Sequence, residues 1–320
     1  MNKVVRILAV SVVLSHSAAI HSAQYPERPV RFVIPFPVGG PTDAAGRVIG
    51  QALSQSLGQA VVIDNRPGAD GAIGPEIVAK AQPDGYTILM GTSSSMAAVP
   101  AMRRKPPYDP IADFTPITFV GWNPLLLVVH SGLPVKTVTE LMEYGRANPG
   151  KLIVAAANPP TIFAMAQLKS IGKMETVDVT YKGDAGALPD LLAGRVHVLA
   201  GGPGLVLPHV KDGKLRALAT FTRTRTRPAP DVPTMAEAGV PRFSVFPWVG
   251  LFGPAKTPKG VVDRLSREMG AVLKRPDVRA QLDKIGFEPE SSTPQELTAF
   301  VKEQIKAWAA VARDAGIQPQ

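Results

Sequence analysis

The chain has no cysteine among its 320 residues, which excludes a disulfide framework, thiolate metal sites and a lipid-modified cysteine anchor together. Histidine is nearly as scarce: His130, His197 and His209 are the only ones beyond Ala23. His197 lies in Arg195-Val196-His197-Val198-Leu199, the pattern of a core or surface histidine rather than a ligand. No His-Glu-x-x-His, Gly-x-Ser-x-Gly or Gly-Lys-Ser/Thr phosphate-loop motif occurs, and no close pair of acids is framed for glycoside or metal chemistry. No metal and no cofactor are therefore expected. Aromatic residues are few and absent from the two densest basic runs, Arg103-Arg104-Lys105 and the alternating Arg223, Arg225 and Arg227. Without a stacking platform these runs read as solvated loops, and nucleic acid is not an expected partner. Past the first residues no stretch reaches roughly 18 uninterrupted apolar positions, so no membrane-spanning helix is expected in the mature chain.

What is present begins with an export signal. Lys3 and Arg6 precede an apolar core from Ile7 to Leu14 and then small residues ending near Ala19 or Ala23, the order of a secretory signal peptide over 1–23. A soluble protein of the periplasm is the expectation. The net charge of +9 falls to +7 without Lys3 and Arg6, a surplus suited to drawing small anions toward a cleft. The roughly 300 remaining residues exceed what one core comfortably serves, so two domains are expected.

The β-branched run Val30 to Ile34 stops at Phe36-Pro37-Val38-Gly39-Gly40-Pro41-Thr42-Asp43 and opens into the helical pattern Ala44 to Leu57. Adjacent glycines allow close backbone approach, and Thr42 or Asp43 can cap a helix whose first N–H groups suit a carboxylate or a polarised water. Strands follow at Val61 to Asp64 and Tyr86 to Met90, with Gly91-Thr92-Ser93-Ser94-Ser95 as a second polar loop. Further strands are expected at 116–120, 125–130, 152–156, 177–181, 196–200 and 215–221, and helices at 137–147, 162–171 and 187–193. Between them lie the loops Ala157-Asn158-Pro159-Pro160-Thr161 and Lys182-Gly183-Asp184-Ala185-Gly186. After Gly239 comes an aromatic, glycine-broken strand at 246–254, then helices at 258–274, 276–285 and 294–315, the last capped by Thr293 or Ser292. The βα alternation predicts largely parallel sheets with ligand loops at the carboxyl ends of the strands. Two apolar crossings, near 117–129 and 246–253, divide the chain into 24–121 plus 247–320 and 122–246. Polar loops without catalytic parts point to binding; an exported serine hydrolase using Ser93, Ser94 or Ser95 on a small ester or amide is the alternative.

Seven motifs occur in order: Pro35 to Asp43, Asn65-Arg66-Pro67-Gly68-Ala69-Asp70-Gly71-Ala72-Ile73-Gly74, Pro83 to Leu89, Tyr108-Asp109-Pro110, Tyr181-Lys182-Gly183, Gly213 to Ala219, and Asp231-Val232-Pro233-Thr234-Met235-Ala236-Glu237-Ala238-Gly239. With them the mature chain resembles the solute-binding proteins of tripartite tricarboxylate transporters, also called the Bug family. The resemblance implies a type II periplasmic-binding-protein fold, two α/β domains closing on a small, usually carboxylated solute. It implies membrane permease subunits as partners, and a monomer is expected. It points to Phe36, Gly39, Gly40, Thr42 and Asp43, acting largely through ordered waters, with Thr92 and Ser93. From the second domain Asn158, Thr161, Phe163, Tyr181, Lys182 and Gly183 are candidates, with Trp122, Phe163 and Trp248 as an apolar wall. Asn158-Pro159-Pro160-Thr161-Ile162-Phe163 and Gly201-Gly202 depart from the family's more polar pattern. The expected ligand is therefore a compact, mainly apolar or aromatic monocarboxylate, or an amide-like analogue.

Overall fold

The computed structural model describes residues 25–317 and residue 319; the expected signal peptide lies outside them. The chain opens with β1 (Val30–Ile34), α1 (Pro41–Leu57), β2 (Val61–Asn65), α2 (Ile73–Ala79) and β3 (Thr87–Thr92). A π-type turn at Ser94–Ala98 leads into α3 (Val99–Met102), then β4 (Phe114–Trp122). Next come β5 (Leu126–His130), α4 (Val138–Ala147), β6 (Leu152–Ala156), α5 (Pro159–Gly172), β7 (Thr176–Thr180), α6 (Asp184–Leu192), β8 (Val198–Gly201), α7 (Pro203–Lys211) and β9 (Leu215–Thr220). β10 (Trp248–Pro254), α8 (Lys259–Lys274), α9 (Pro276–Lys284), β11 (Glu288–Pro289) and α10 (Pro294–Asp314) complete it.

Two sheets result, ordered β11-β4-β10-β3-β1-β2 and β7-β6-β8-β5-β9. The expectation of largely parallel sheets is corrected. β1 pairs in parallel with β2 and β3, and β6 with β7 and β8. β10 runs antiparallel between β3 and β4, and β5 runs antiparallel between β8 and β9. β4 and β10 carry the chain out of and back into the first sheet, so the returning strand enters against the direction of its neighbours. The backbone ties the two crossings together: the Asn123 N–H donates to the Pro247 carbonyl at 3.2 Å.

Local chemistry explains how α1 is seated. Its apolar stripe Ala45, Ile49, Ala52, Leu53 and Leu57 is buried at helical spacing. Gly46 lets it lie close on β1, since a Cβ there would stand 2.3 Å from Ile34 Cδ1. Gly58, at φ +69°, closes it in the left-handed conformation that glycine adopts freely. At the other end of the chain the expected capping box is present: Thr293 Oγ1 accepts from the Glu296 N–H while the Glu296 carboxylate accepts from the Thr293 N–H.

α10 serves both halves. Leu297 and Val301 are fully buried with Phe119, Trp248 and Phe252 of the first sheet. Trp308, Val311 and Ala312 join Phe163, Leu168, Val154 and Val198 over the second. The Phe163 and Trp308 ring centroids lie 5.0 Å apart. Among the described residues no helix is long and apolar enough to cross a membrane.

Candidate functional site

A cavity of about 450 Å³ opens between the two sheets, at the loops that follow the strands. Phe36, Pro37, Gly40, Pro41 and Thr42 form one wall with Thr92, Ser93 and Ser94. The crossings contribute Asn123, Pro124, Leu125, Pro247, Trp248 and Val249. Opposite stand the starts of three helices: Asn158, Pro159 and Pro160 of α5, Asp184 and Ala185 of α6, and Gly202 to Leu205 of α7, with Ile285 and Gly286 at the edge.

The loop after β1 is fastened by two side chains. Asp43 Oδ2 accepts from the Gly39 N–H and from Arg47 Nε, each at 2.9 Å. Asn65 Nδ2 donates to Asp43 Oδ1 at 2.9 Å and to the Phe36 carbonyl at 3.1 Å. Burial pushes the Asp43 carboxyl up, but the hydrogen bonds from Arg47, Gly39 and Asn65 outweigh it and hold the group below the usual carboxylate range. Asp43 is thus an ionised, charge-paired anchor of the loop. The expectation that Thr42 or Asp43 caps α1 is corrected: Gly40 holds the N-cap position and no side chain caps it.

That leaves unspent donors at the cavity. Among the described residues, neither the Thr42 nor the Asp43 N–H has a partner, and the Thr42 and Ser93 hydroxyls carry no internal hydrogen bond. Thr92 and Ser95 are committed to each other, Ser95 Oγ accepting from the Thr92 N–H at 3.0 Å. Ser94 Oγ donates to the Asp70 carbonyl at 3.0 Å. Thr92, expected in a loop, ends β3 instead, because β10 pairs with it through Val249. The hydrolase reading finds no support here: among the described residues no histidine lines the cavity, and Ser94 and Ser95 fasten the turn.

The helix starts on the far wall differ sharply. α5 begins with two prolines, which have no N–H, and Asn158 Oδ1 takes the Thr161 N–H at 3.2 Å. Its N-terminus is therefore spent. In α6 and α7 the N–H groups of Ala185 and Gly204 have no partner among the described residues. Asp184 Oδ2 accepts from the Gly202 N–H at 3.2 Å and joins these two helix starts.

The expected site residues accordingly divide. Phe36, Gly40, Thr42, Thr92, Ser93, Asn158 and Trp248 line the cavity; Gly39 and Asp43 support it from behind. Thr161 is fully buried as the partner of Asn158 in a capping box. Phe163, expected in the wall, belongs to the core against Trp308. Trp122 sits outside the lining, packed on Phe119 and Phe300, its indole N–H donating to Glu290 at 2.6 Å. Trp248 does reach the cavity, and its buried indole N–H has no partner among the described residues. Tyr181 donates to Asp190 Oδ2 at 2.6 Å, away from the lining, and Lys182 is exposed. Gly183, at φ +87°, donates its N–H to the Ala157 carbonyl and sets up α6. Sequence reasoning passed over Asp184, Asn65 and the start of α7.

The arginines of 222–228 are exposed, as expected of a solvated loop. Among the described residues no lysine or arginine lines the cavity. The run at 222–228 is paired rather than free: Arg223 with Glu303, Arg225 with Glu237, and Arg227 with Asp283. Arg227 also donates its N–H to Glu288 at 2.7 Å, so this loop, leading out of β9, grips elements around the first sheet.

The family described as "TctC: Tripartite tricarboxylate transporter family receptor" matches residues 45–317. The chain belongs to this receptor family. Protein BugT of Bordetella pertussis is 34% identical, over 99% of this chain and 98% of that protein. The structure of R. palustris Rpa4515 with adipate superposes with a TM-score of 0.79 at 36% identity, covering 92% of this chain and 100% of the other. MatC (Rpa3494) from Rhodopseudomonas palustris with bound malate gives 0.74 at 32% identity, over 90% of this chain and 99% of that one. The Bug resemblance and the two-domain α/β periplasmic-binding-protein fold read from the sequence both hold.

Proposed function

We propose that the chain is a periplasmic receptor that takes a small organic carboxylate, or a carbonyl-bearing analogue, into the cavity between its domains for a tripartite tricarboxylate-type transporter. In this reading 24–121 plus 247–320 and 122–246 close on each other about the crossing strands, with α10 as a brace against both. The carrying observation is the cluster of unspent donors at the first wall: the Thr42 N–H at the start of α1, and the Thr42 and Ser93 hydroxyls. A helix start carries about half a positive charge, and Arg47 already offsets the charge of Asp43. A carboxylate there needs no lysine or arginine. Waters can bridge it, since Gly40 lines the cavity without a side chain of its own. Rpa4515 and MatC, which hold adipate and malate, support a carboxylate as the class.

The test is a thermal-shift screen followed by calorimetry on protein refolded free of carried-over ligand. A true ligand at a hundredfold excess over its Kd adds about 2.7 kcal/mol and raises the melting point visibly. Stabilisation by one or more carboxylates, absent for the corresponding alkanes and alcohols, is expected. Failure of every carboxylate and amide in a broad panel would overturn the reading.

A further inference from the structure

We infer that Asp184 makes the far end of the cavity an acceptor site, so that the solute is a monocarboxylate carrying a hydrogen-bond donor (a hydroxyl, amide or ammonium group) in place of a second carboxylate. The inference rests on the receptor reading above and refines its ligand. Among the described residues, Asp184 is the one charged residue that lines the cavity. The Gly202 N–H occupies one lone-pair position of Oδ2, and a carboxylate offers about four. Oδ1 has no partner and no cation pairs with the group among the described residues. Asp43, the other carboxylate near the cavity, is different: Arg47, Asn65 and the Gly39 N–H consume it.

The two walls therefore differ. At the first wall the donors of α1 are uncompensated, because Arg47 neutralises Asp43. At the second, the partial positive charges of the α6 and α7 starts, about half a charge each, are offset by the full negative charge of Asp184. The rest of that wall supplies donors: the Ala185 and Gly204 N–H groups and the Asn158 amide, whose Oδ1 is committed to Thr161, while Pro159, Pro160 and Pro203 carry no N–H; Asp184 is its acceptor. A ligand whose far end is purely apolar leaves the Asp184 carboxylate desolvated and unpaired on closure. A second carboxylate meets it as a like charge at short range. A donor satisfies it.

Calorimetry on the full protein with hexanoate, 6-hydroxyhexanoate, 6-aminohexanoate and adipate, and with their four-carbon counterparts, tests this. In the wild type a donor-bearing acid is expected to bind at least tenfold more tightly than the dicarboxylate of the same length. Asp184→Asn keeps the size and the bond to Gly202 but removes the charge. It is expected to weaken the amino acid at least tenfold and to tighten the dicarboxylate. Asp184→Ser provides the same readout should the first variant melt early. Equal binding of all four compounds in the wild type, or a dicarboxylate preference, overturns the inference while leaving the receptor reading intact. Binding of no carboxylate at all defeats that reading instead.

Discussion

Gly39 and Gly40 adjoin in sequence, yet the structure gives them different work, and substituting each separately tests the site directly. Gly40 has φ −75° and ψ 165°, a backbone any residue adopts, and a Cβ there meets nothing closer than the Pro37 carbonyl oxygen at 3.5 Å. Gly40→Val is therefore expected to cost about 1 kcal/mol, the loss of a favoured N-cap residue, and to leave the protein folded. Its branched side chain stands in the cavity at the entrance to the Thr42 N–H. Blocking one or two charge-assisted hydrogen bonds, each worth about 1.5–3 kcal/mol, weakens a carboxylate by about 10-fold to more than 100-fold. Gly39 is the reverse. Its φ of +84° costs a side-chain-bearing residue roughly 1–2 kcal/mol, while the added Cβ meets nothing within 4 Å. Gly39→Ala should lower the melting temperature by a few degrees and change affinity mainly through the loop that Asp43 fastens. Calorimetry of both variants with the strongest ligand from the screen, beside melting curves, separates the two effects. Unchanged affinity in Gly40→Val, with the protein folded, would refute the assignment of the first wall.

Phe163→Ala is expected to cost about 3–5 kcal/mol while leaving Kd within a few-fold, since the ring is fully buried against Trp308; a large affinity loss with normal stability would return Phe163 to the wall. His197 accepts the Ile153 N–H on Nδ1, and burial, with His130 adding like charge, holds its pKa below the usual value. Its stabilising contribution is therefore full above about pH 6.5 and lost as pH falls through the lowered value, so His197→Gln should flatten the acid side of a melting-temperature profile. Arg227→Ala breaks an exposed pair to Asp283 worth at most about 1 kcal/mol, so affinity should change less than about fivefold and only at low salt; a salt-independent change would argue against an electrostatic link.

Much of this was legible in the chain. The Val30 to Leu57 strand, loop and helix follow from a change of hydrophobic period across a Gly-Pro break, and the Thr293 cap from its partner three residues on. α7 was missed because Pro203, Gly204 and Pro208 suppress helical pattern and Pro203 and Val206 are its buried residues; packing on β9 and β5 decides it. The extension of β3 to Thr92 was hidden because a polar run reads as loop until β10 lies beside it. Sequence distance also concealed that Asp184 meets Gly202 and that Asn65 reaches Phe36. Aromatic character located Trp122, Phe163 and Trp248 in dense packing, but only the arrangement of β10 and α10 determines which one borders the cavity.

The position of α10 bears on when the molecule can finish folding. Val301 closes the first core and Trp308 the second, and both lie on the last helix of the chain. Neither core is complete while residues 294–314 are still missing, however much of the preceding sequence is free to collapse. In a receptor exported as proposed above, cores closed by residues 294–314 postpone commitment until that helix too has been delivered.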